Sequence, residues 1–166
     1  MMKLIDRKNC EVCYKKLNNE LNLGLHPMCD DLIPISSKKN SILYPVKVSL
    51  CKNCLTITQK KQIPKKTLFP KNYHYRADLT KDVLIGQKKL VKDLENIFGN
   101  LKNKVVLDIG ANDFTLLNFF KEKQLITIGV EPTNAIKDAS SKHFKYQDYF
   151  NRKLALKIKK KFKRID

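Results

Sequence analysis

Long apolar runs are missing from this 166-residue chain. None approaches the roughly 20 residues that a membrane-spanning helix needs, so no span and no membrane partner are expected. Missing too is an apolar signal region: the N-terminus, MMKLIDRKNCEVC, runs straight into a charged cysteine motif, which predicts a cytoplasmic protein. Acids are scarce, 16 Asp and Glu against 34 Lys and Arg, leaving a net charge of +18. Such a balance suits solvated lysine faces. It also suits a surface for nucleic acid or anionic lipid, or one that draws in a phosphorylated substrate. Lysines are scattered through most of the chain, and only residues 152–164 form a concentrated basic block.

What is present begins with cysteine. Cys10-Glu-Val-Cys13 is followed, after a 37-residue gap, by Cys51-Lys-Asn-Cys54. Four thiolates are the ligand set that structural zinc prefers, and a two-residue spacer lets a tight turn aim both sulfurs of a pair at one ion. A reducing cytosol argues against two disulfides, and a redox pair would be expected to open a helix in a βαβ unit. Cys10, Cys13, Cys51 and Cys54 are therefore read as ligands of a Zn2+ ion. His26 and a fifth cysteine, Cys29, are not, because four sulfurs close the shell and a cysteine in LGLHPMCDDLIP behaves as a small apolar residue. The gap must hold structure of its own. SILYPVKVSL places Ile42, Tyr44, Val46 and Val48 at a period of two, LTIT alternates likewise, and the picture is strand, knuckle, strand.

Prolines 64 and 70 predict an extended connection rather than a helix. It ends on Tyr73-His74-Tyr75-Arg76. The tyrosines either pack on the next domain while His74 and Arg76 face water, or the four residues wall a substrate pocket, where phenols and a guanidinium bind sugar hydroxyls or a diphosphate. From residue 78 to 98 the apolar period becomes 3.6: Val83, Gln87, Leu90, Leu94, Ile97 and Phe98 share a face, Asp78 or Thr80 can cap the start, and Gly99 can end the helix.

Residues 104–120, KVVLDIGANDFTLLNFF, organise the rest. They read as a buried strand, a turn opening at Asp108, and a helix with Leu116, Leu117 and Phe120 inward. Gly110 permits close approach of a ligand to the backbone, and the amides at the helix start favour electronegative groups. LITIGVEP repeats the strand and ends on Glu131, placed to accept both hydroxyls of a ribose as in dinucleotide folds. A short helix over 133–141, a third strand at 144–146 and a basic helix carrying Leu154, Leu156 and Ile158 follow. Alternating strands and helices imply a parallel, doubly wound sheet. Three strands are few for a complete domain, and the chain reads as the N-terminal part of one.

In this order, the paired CxxC knuckles, a Gly-x-x-Pro-x-x-Asp-like turn, the YPVKVSLCKNCLTITQ hairpin, the Tyr-x-Tyr-Arg loop, VLDIGANDFTLL and GVEPTN resemble the zinc-ribbon sugar C-methyltransferases, class I S-adenosylmethionine-dependent enzymes of deoxysugar biosynthesis. The resemblance implies a zinc-ribbon β domain over residues 1–72, a substrate loop and linker helix over 73–100, and an incomplete Rossmann-like, α/β class methyltransferase sheet over 101–166. It implies S-adenosylmethionine on Asp108, Gly110, Asn112 and Asp113, with Glu131 on the ribose and Pro132 beside it. Tyr73, Tyr75 and Arg76 would approach a nucleotide-sugar, and Tyr73, His74 and Tyr75 would be accessory groups. The reaction implied is methylation of a carbon next to a keto group through an enolate. Its main base and the remaining strands would lie beyond these residues, in a longer protein or a second chain, so little methyl transfer is expected from these residues alone. Where the family carries glycine this sequence has Phe114, and the ring is expected to crowd the methionine end of the cofactor or to shift the helix start. Two other readings stand beside this one: a zinc-ribbon nucleic-acid binder, and a methyltransferase acting on another acceptor.

Overall fold

In the computed structural model, residues 3–28 and 32–166 are described. Cys29 lies outside them. The chain divides into two units, Met1–Leu68 and Phe69–Asp166, so the aromatic segment from Phe69 groups with the second. The fold is mixed α/β, with antiparallel sheets in the first unit and a parallel one in the second. Among the described residues, no helix is long and apolar enough to cross a membrane.

In the first unit, β1 (Ile5–Asp6) pairs antiparallel with β5 (Lys61–Gln62). Between them β2 (Leu21–Pro27), β3 (Leu43–Leu50) and β4 (Ile57–Gln59) form an antiparallel sheet in that order. The strands flanking the second knuckle were legible, although β4 starts two residues later than LTIT suggested, because Leu55 takes a left-handed backbone (φ 59°) inside the turn. The first strand of the sheet was not. LNLGLHP reads as the approach to a turn, yet β2 is a strand whose register slips between Asn22 and Leu25, where Gly24 (φ 92°) absorbs the irregularity. The expected inward face of β3 also differs: Ser49 is its buried residue, while Tyr44, Val46 and Val48 are only partly covered. Sixty-eight residues bury little apolar surface, and this unit's buried cluster is Cys10, Leu17 and Cys51, with Cys13 and Cys54 against it. Pro64 does not prevent a helix. It precedes the single turn α1 (Lys65–Leu68) and accepts from the Thr67 and Leu68 amides, a place where its missing N–H costs nothing.

The second unit begins with a 3-10 turn at Ala77–Leu79 and α2 (Lys81–Phe98). The helix starts later than its apolar period suggested: Thr80 is the cap residue, without a side-chain hydrogen bond, and Gly99 ends it at φ 69°. Its covered stripe is Val83, Gln87, Val91 and Leu94, with Val91 buried, whereas Ile97 and Phe98 are 71% and 63% exposed. The expected stripe included those two and missed Val91. Next come β6 (Val105–Ile109), α3 (Thr115–Glu122), β7 (Ile126–Val130), a 3-10 turn at Asn134–Asp138 in place of the expected helix, β8 (Phe144–Tyr146) and α4 (Arg152–Phe162). The Asn151 side chain caps α4 by accepting from the Leu154 amide.

Strands β6, β7 and β8 are parallel and lie in chain order. Their residues alternate between two covered faces. Val105, Leu107, Ile126, Ile128 and Val130 meet Leu154, Ile158 and Phe162 of α4 on one. Val106 meets the cluster of Val91, Phe114, Leu117 and Phe120 on the other. Gly129 shares that second face, and the Phe114 ring lies directly over it: a Cβ at residue 129 would fall 2.2 Å from ring atoms Cε1 and Cζ. Phe114 is fully buried, so its ring enters the core rather than crowding a ligand. The cost is a left-handed backbone (φ 67°) at the residue that starts α3.

Beside Phe114 the buried His143 bridges two elements, with Nδ1 2.7 Å from the Thr127 hydroxyl and Nε2 2.9 Å from Asn118 Oδ1. Nε2–H can donate to Asn118 Oδ1 while Nδ1 accepts from the Thr127 hydroxyl, an arrangement that suits a neutral imidazole. Burial, then the charges of Lys121, Lys145 and Lys142, push its pKa below the ordinary value. The unfolded chain therefore takes up a proton that the folded one resists. This contribution to stability is full above about pH 6.5 and is lost as pH falls below it, until the folded-state pKa is passed. Thermal melts across that interval should show the wild type losing more stability on acidification than His143→Gln. Parallel pH profiles for the two would exclude the assignment.

Candidate metal centre and ligand cavity

Each CxxC pair sits in the same local structure. The Cys10 amide donates to Lys15 O and the Tyr14 amide to Cys10 O, while the Cys51 amide donates to Thr56 O and the Leu55 amide to Cys51 O. Four residues after each first cysteine, Tyr14 and Leu55 take left-handed backbones, with φ of 60° and 59°. These matched turns bring the four sulfurs within 4.8 Å of one another, with Cys10 to Cys54 at 3.6 Å and Cys13 to Cys51 at 3.5 Å. Four sulfurs about 2.3 Å from a central ion are separated by comparable distances, so the cluster fits a tetrahedral cation.

The surrounding groups prepare the thiols unevenly. The Cys13 and Val12 amides hold the Cys10 thiol below its usual value. The Thr56 hydroxyl, 3.3 Å from the Cys54 sulfur, and the Thr56 amide bring that thiol down to about 6. Cys13 goes the other way: the Lys15 amide lowers it, but burial and the Cys51 and Cys54 sulfurs push it up to about 11. Crowded sulfurs cannot all ionise without a cation among them. His26 stands apart on β2, its Nε2 donating to Leu23 O at 2.7 Å.

The second unit holds a cavity of about 510 Å3 at the C-terminal ends of β6 and β7. Asp108, Gly110 and Asn112 line it together with Glu131, Pro132, Tyr73 and Tyr75. Asp113, His74 and Arg76 do not. Gly110 is needed for its backbone (φ 82°) and not for space, since nothing lies within 4 Å of where its Cβ would be.

Several amides of the turn are already bonded within the fold. Gly110 and Ala111 donate their amides to Val130 O, Asn112 to Glu131 Oε2, Phe114 to Ala111 O and Thr115 to Asp113 Oδ1. Glu131 also accepts from the Thr133 amide through Oε1 and is buried. Its carboxylate thus braces the turn while each oxygen keeps one acceptor direction. Asn112 accepts from the Ala77 amide and donates to Tyr75 O, and Asp113 accepts from the Asp78 amide. These two side chains fasten the aromatic segment to the turn. Despite its burial, Asp113 is held below the usual carboxylate range by the Asp78 and Thr115 amides. Arg76 is likewise committed to structure: it pairs with Asp138, donates to Tyr73 O and Tyr75 O, and reaches Asn134 Oδ1.

Asp108 is different. No hydrogen bond is made by its carboxyl among the described residues, and burial, reinforced by the Glu131 charge, pushes its pKa up. Asp148, Tyr149 and Phe150 from the segment after β8, and Phe69, also line the cavity. Sequence reading missed them; the available signal was an acid and two aromatics directly following the third strand. Burial, then Glu131, raises the Tyr149 pKa, and its hydroxyl donates to Phe69 O. Among the described residues, three acids therefore line the cavity and no Lys or Arg does. No family model matches this sequence, and no characterised protein matches it.

Proposed function

We propose that the second unit is the cofactor-binding part of a Rossmann-like methyltransferase that takes S-adenosylmethionine, and that the first unit is a structural zinc ribbon. One observation carries the reading of the cavity: it is walled by aromatics and acids, and among the described residues no Lys or Arg lines it. A phosphate would meet three carboxylates there without compensation. A nucleoside with a positive substituent is complementary to it.

The residues fit such a ligand. Glu131 keeps acceptor directions for ribose hydroxyls, Pro132 and Phe150 supply apolar walls for a base, and Asp148 supplies an acceptor for a base amino group. Asp108 places an uncompensated carboxylate where positive charge is stabilised. The cofactor, when bound, supplies an electrophilic methyl group. Tyr73 and Tyr75, held by Asn112 and Arg76, present phenols to the same cavity and can donate to an enolate oxygen on the acceptor. That the acceptor is a nucleotide-linked keto-deoxysugar rests on the resemblance to the sugar C-methyltransferases. Arg76 lies outside the cavity lining and lends that part of the reading no diphosphate contact.

Calorimetric titration with S-adenosylhomocysteine tests the cofactor reading, and Asp108→Asn is the cleaner variant. Glu131→Ala would also remove the brace of the turn, whereas the Asp108 carboxyl makes no hydrogen bond among the described residues. Binding in the micromolar range, weakened by Asp108→Asn in a chain that melts like wild type, is expected. A folded chain that binds none of the ligand would refute the proposal.

A nucleic-acid binder remains the second reading because of α4. Arg152, Lys153, Lys157, Lys159, Lys160 and Lys161 are exposed along it, and none forms an ion pair among the described residues. Salt-sensitive retention on heparin together with sequence-preferring binding would favour that reading.

A further inference from the structure

The two edges of the parallel sheet in the second unit are unlike. β8 is three residues long, and lysines stand over its aromatic side chains: Lys161 Nζ lies 4.3 Å from the Phe144 ring centroid and Lys157 Nζ 5.7 Å from that of Tyr146. β6 is the other edge strand, five residues long, with β7 as its neighbour among the described strands. In a parallel ladder alternate residues bond to opposite sides. The Ile126 amide donates to Lys104 O and the Gly110 amide to Val130 O, so Val105, Leu107 and Ile109 present their amides and carbonyls to the open side. Part of that side is already used. The Val105 amide donates to Asp166 Oδ2 and Val105 O accepts from the Asp166 amide, both at 2.9 Å. No such partner reaches the Leu107 and Ile109 main chain among the described residues.

Apolar hollows flank this open edge on both faces of the sheet. One, of about 300 Å3, lies between β6 and helices α2 and α3 and is lined by Leu94, Phe98, Val106 and Phe120. The other, of about 280 Å3, lies between β6 and α4 and is lined by Leu107, Phe150, Ile158 and Ile165. At their margins Phe98, Ile109 and Ile165 stay 63%, 54% and 42% exposed. A strand sends successive side chains to opposite faces, so one added beside Leu107 and Ile109 would pair their backbone groups and fill both hollows at once. Because both hollows are apolar, that strand is apolar on both faces. The charges around it set the rest. Lys104 lines the first hollow and Lys159 and Lys163 the second, whereas Asp166 is already paired with Arg164. A second copy is a poor occupant, since it would bring a net charge of +18 and its own basic α4 against the same surface. We propose that the free edge of β6 is a docking surface for an extended segment of a different protein chain, apolar on both faces and flanked by acids, which adds as a strand beside Leu107 and Ile109. The proposal does not depend on what fills the ligand cavity.

The test uses the full metal-loaded chain and a synthetic peptide of alternating valines and isoleucines flanked on each side by aspartates. Amide hydrogen exchange followed by NMR reads the edge directly. The peptide should slow exchange at Leu107 and Ile109 by at least about tenfold, and the same peptide N-methylated at every valine and isoleucine, which cannot form a ladder, should not. A version flanked by lysines should bind at least about tenfold more weakly. Unchanged exchange at both amides at the highest soluble peptide concentration, protection that survives N-methylation, or equal affinity for the two flanking charges would overturn the proposal. So would protection of these amides in the free chain that grows with protein concentration, because a second copy would then occupy the edge.

Discussion

Removing the metal is expected to unfold Met1–Leu68 while Phe69–Asp166 retains its cooperative melt. Among the described residues, the first unit's buried apolar cluster is two cysteines and Leu17, with the other two cysteines against it. Leu21, Leu23 and Leu25 of β2 stay 50% or more exposed, so its three-stranded sheet cannot replace that core. Binding of a structural zinc ion is typically worth about 10–16 kcal/mol near neutral pH, more than a unit of this size gains from burial alone. Cys51→Ser, at a buried position on a knuckle turn, should reproduce the effect of a chelator. Metal analysis should give one zinc per chain, and the apo chain should lose the dispersed amide signals of the first unit. Retention of those signals after complete metal removal would show that the sulfurs merely pack together.

Gly129→Ala should destabilise the second unit by about 3 kcal/mol, the upper part of the range for overpacking a well-filled core. The added carbon would lie 2.2 Å from two atoms of the Phe114 ring and 3.0 Å from Leu117 Cδ1, and both side chains are fully buried. Neither can swing toward solvent. For a unit of this length such a loss lowers the melting temperature by roughly 12–24 °C. Phe114→Leu should partly rescue Gly129→Ala, since a smaller side chain makes room above β7. Equal melting temperatures for wild type and Gly129→Ala would mean that Phe114 does not lie over the strand.

These outcomes separate what was legible in the sequence from what was not. Local signals carried far: CxxC spacing located the sulfur cluster, and apolar runs bounded by turns located β6, β7 and β8. Partnerships between distant residues did not show. Phe114 looked like an obstacle to a ligand because the sequence cannot reveal that Gly129 leaves a hollow for its ring. Glu131 looked like a ribose acceptor alone, because two amides seek its carboxylate only once β7 lies beside the turn. Arg76 read as a binding group, yet Asp138 and two carbonyls hold it in the framework. The α2 stripe was misplaced by its C-terminal end, where Ile97 and Phe98 continue the helical period but remain exposed. β2 was obscured by Gly24 and Pro27, which read as turn residues, although Gly24 serves a strand irregularity.

Although the net charge is +18, the cavity is lined by three acids and, among the described residues, by no Lys or Arg, and on the proposed reading this suits a nucleoside without phosphate. The most direct measurement is a side-by-side calorimetric titration of the metal-loaded chain with S-adenosylmethionine and adenosine monophosphate, which share the base and ribose but carry opposite charge at the 5′ end. S-adenosylmethionine is expected to bind at least about tenfold tighter, because the Asp108 carboxylate faces that end and, among the described residues, no Lys or Arg lines the cavity. Equal or tighter binding of the phosphate would contradict it.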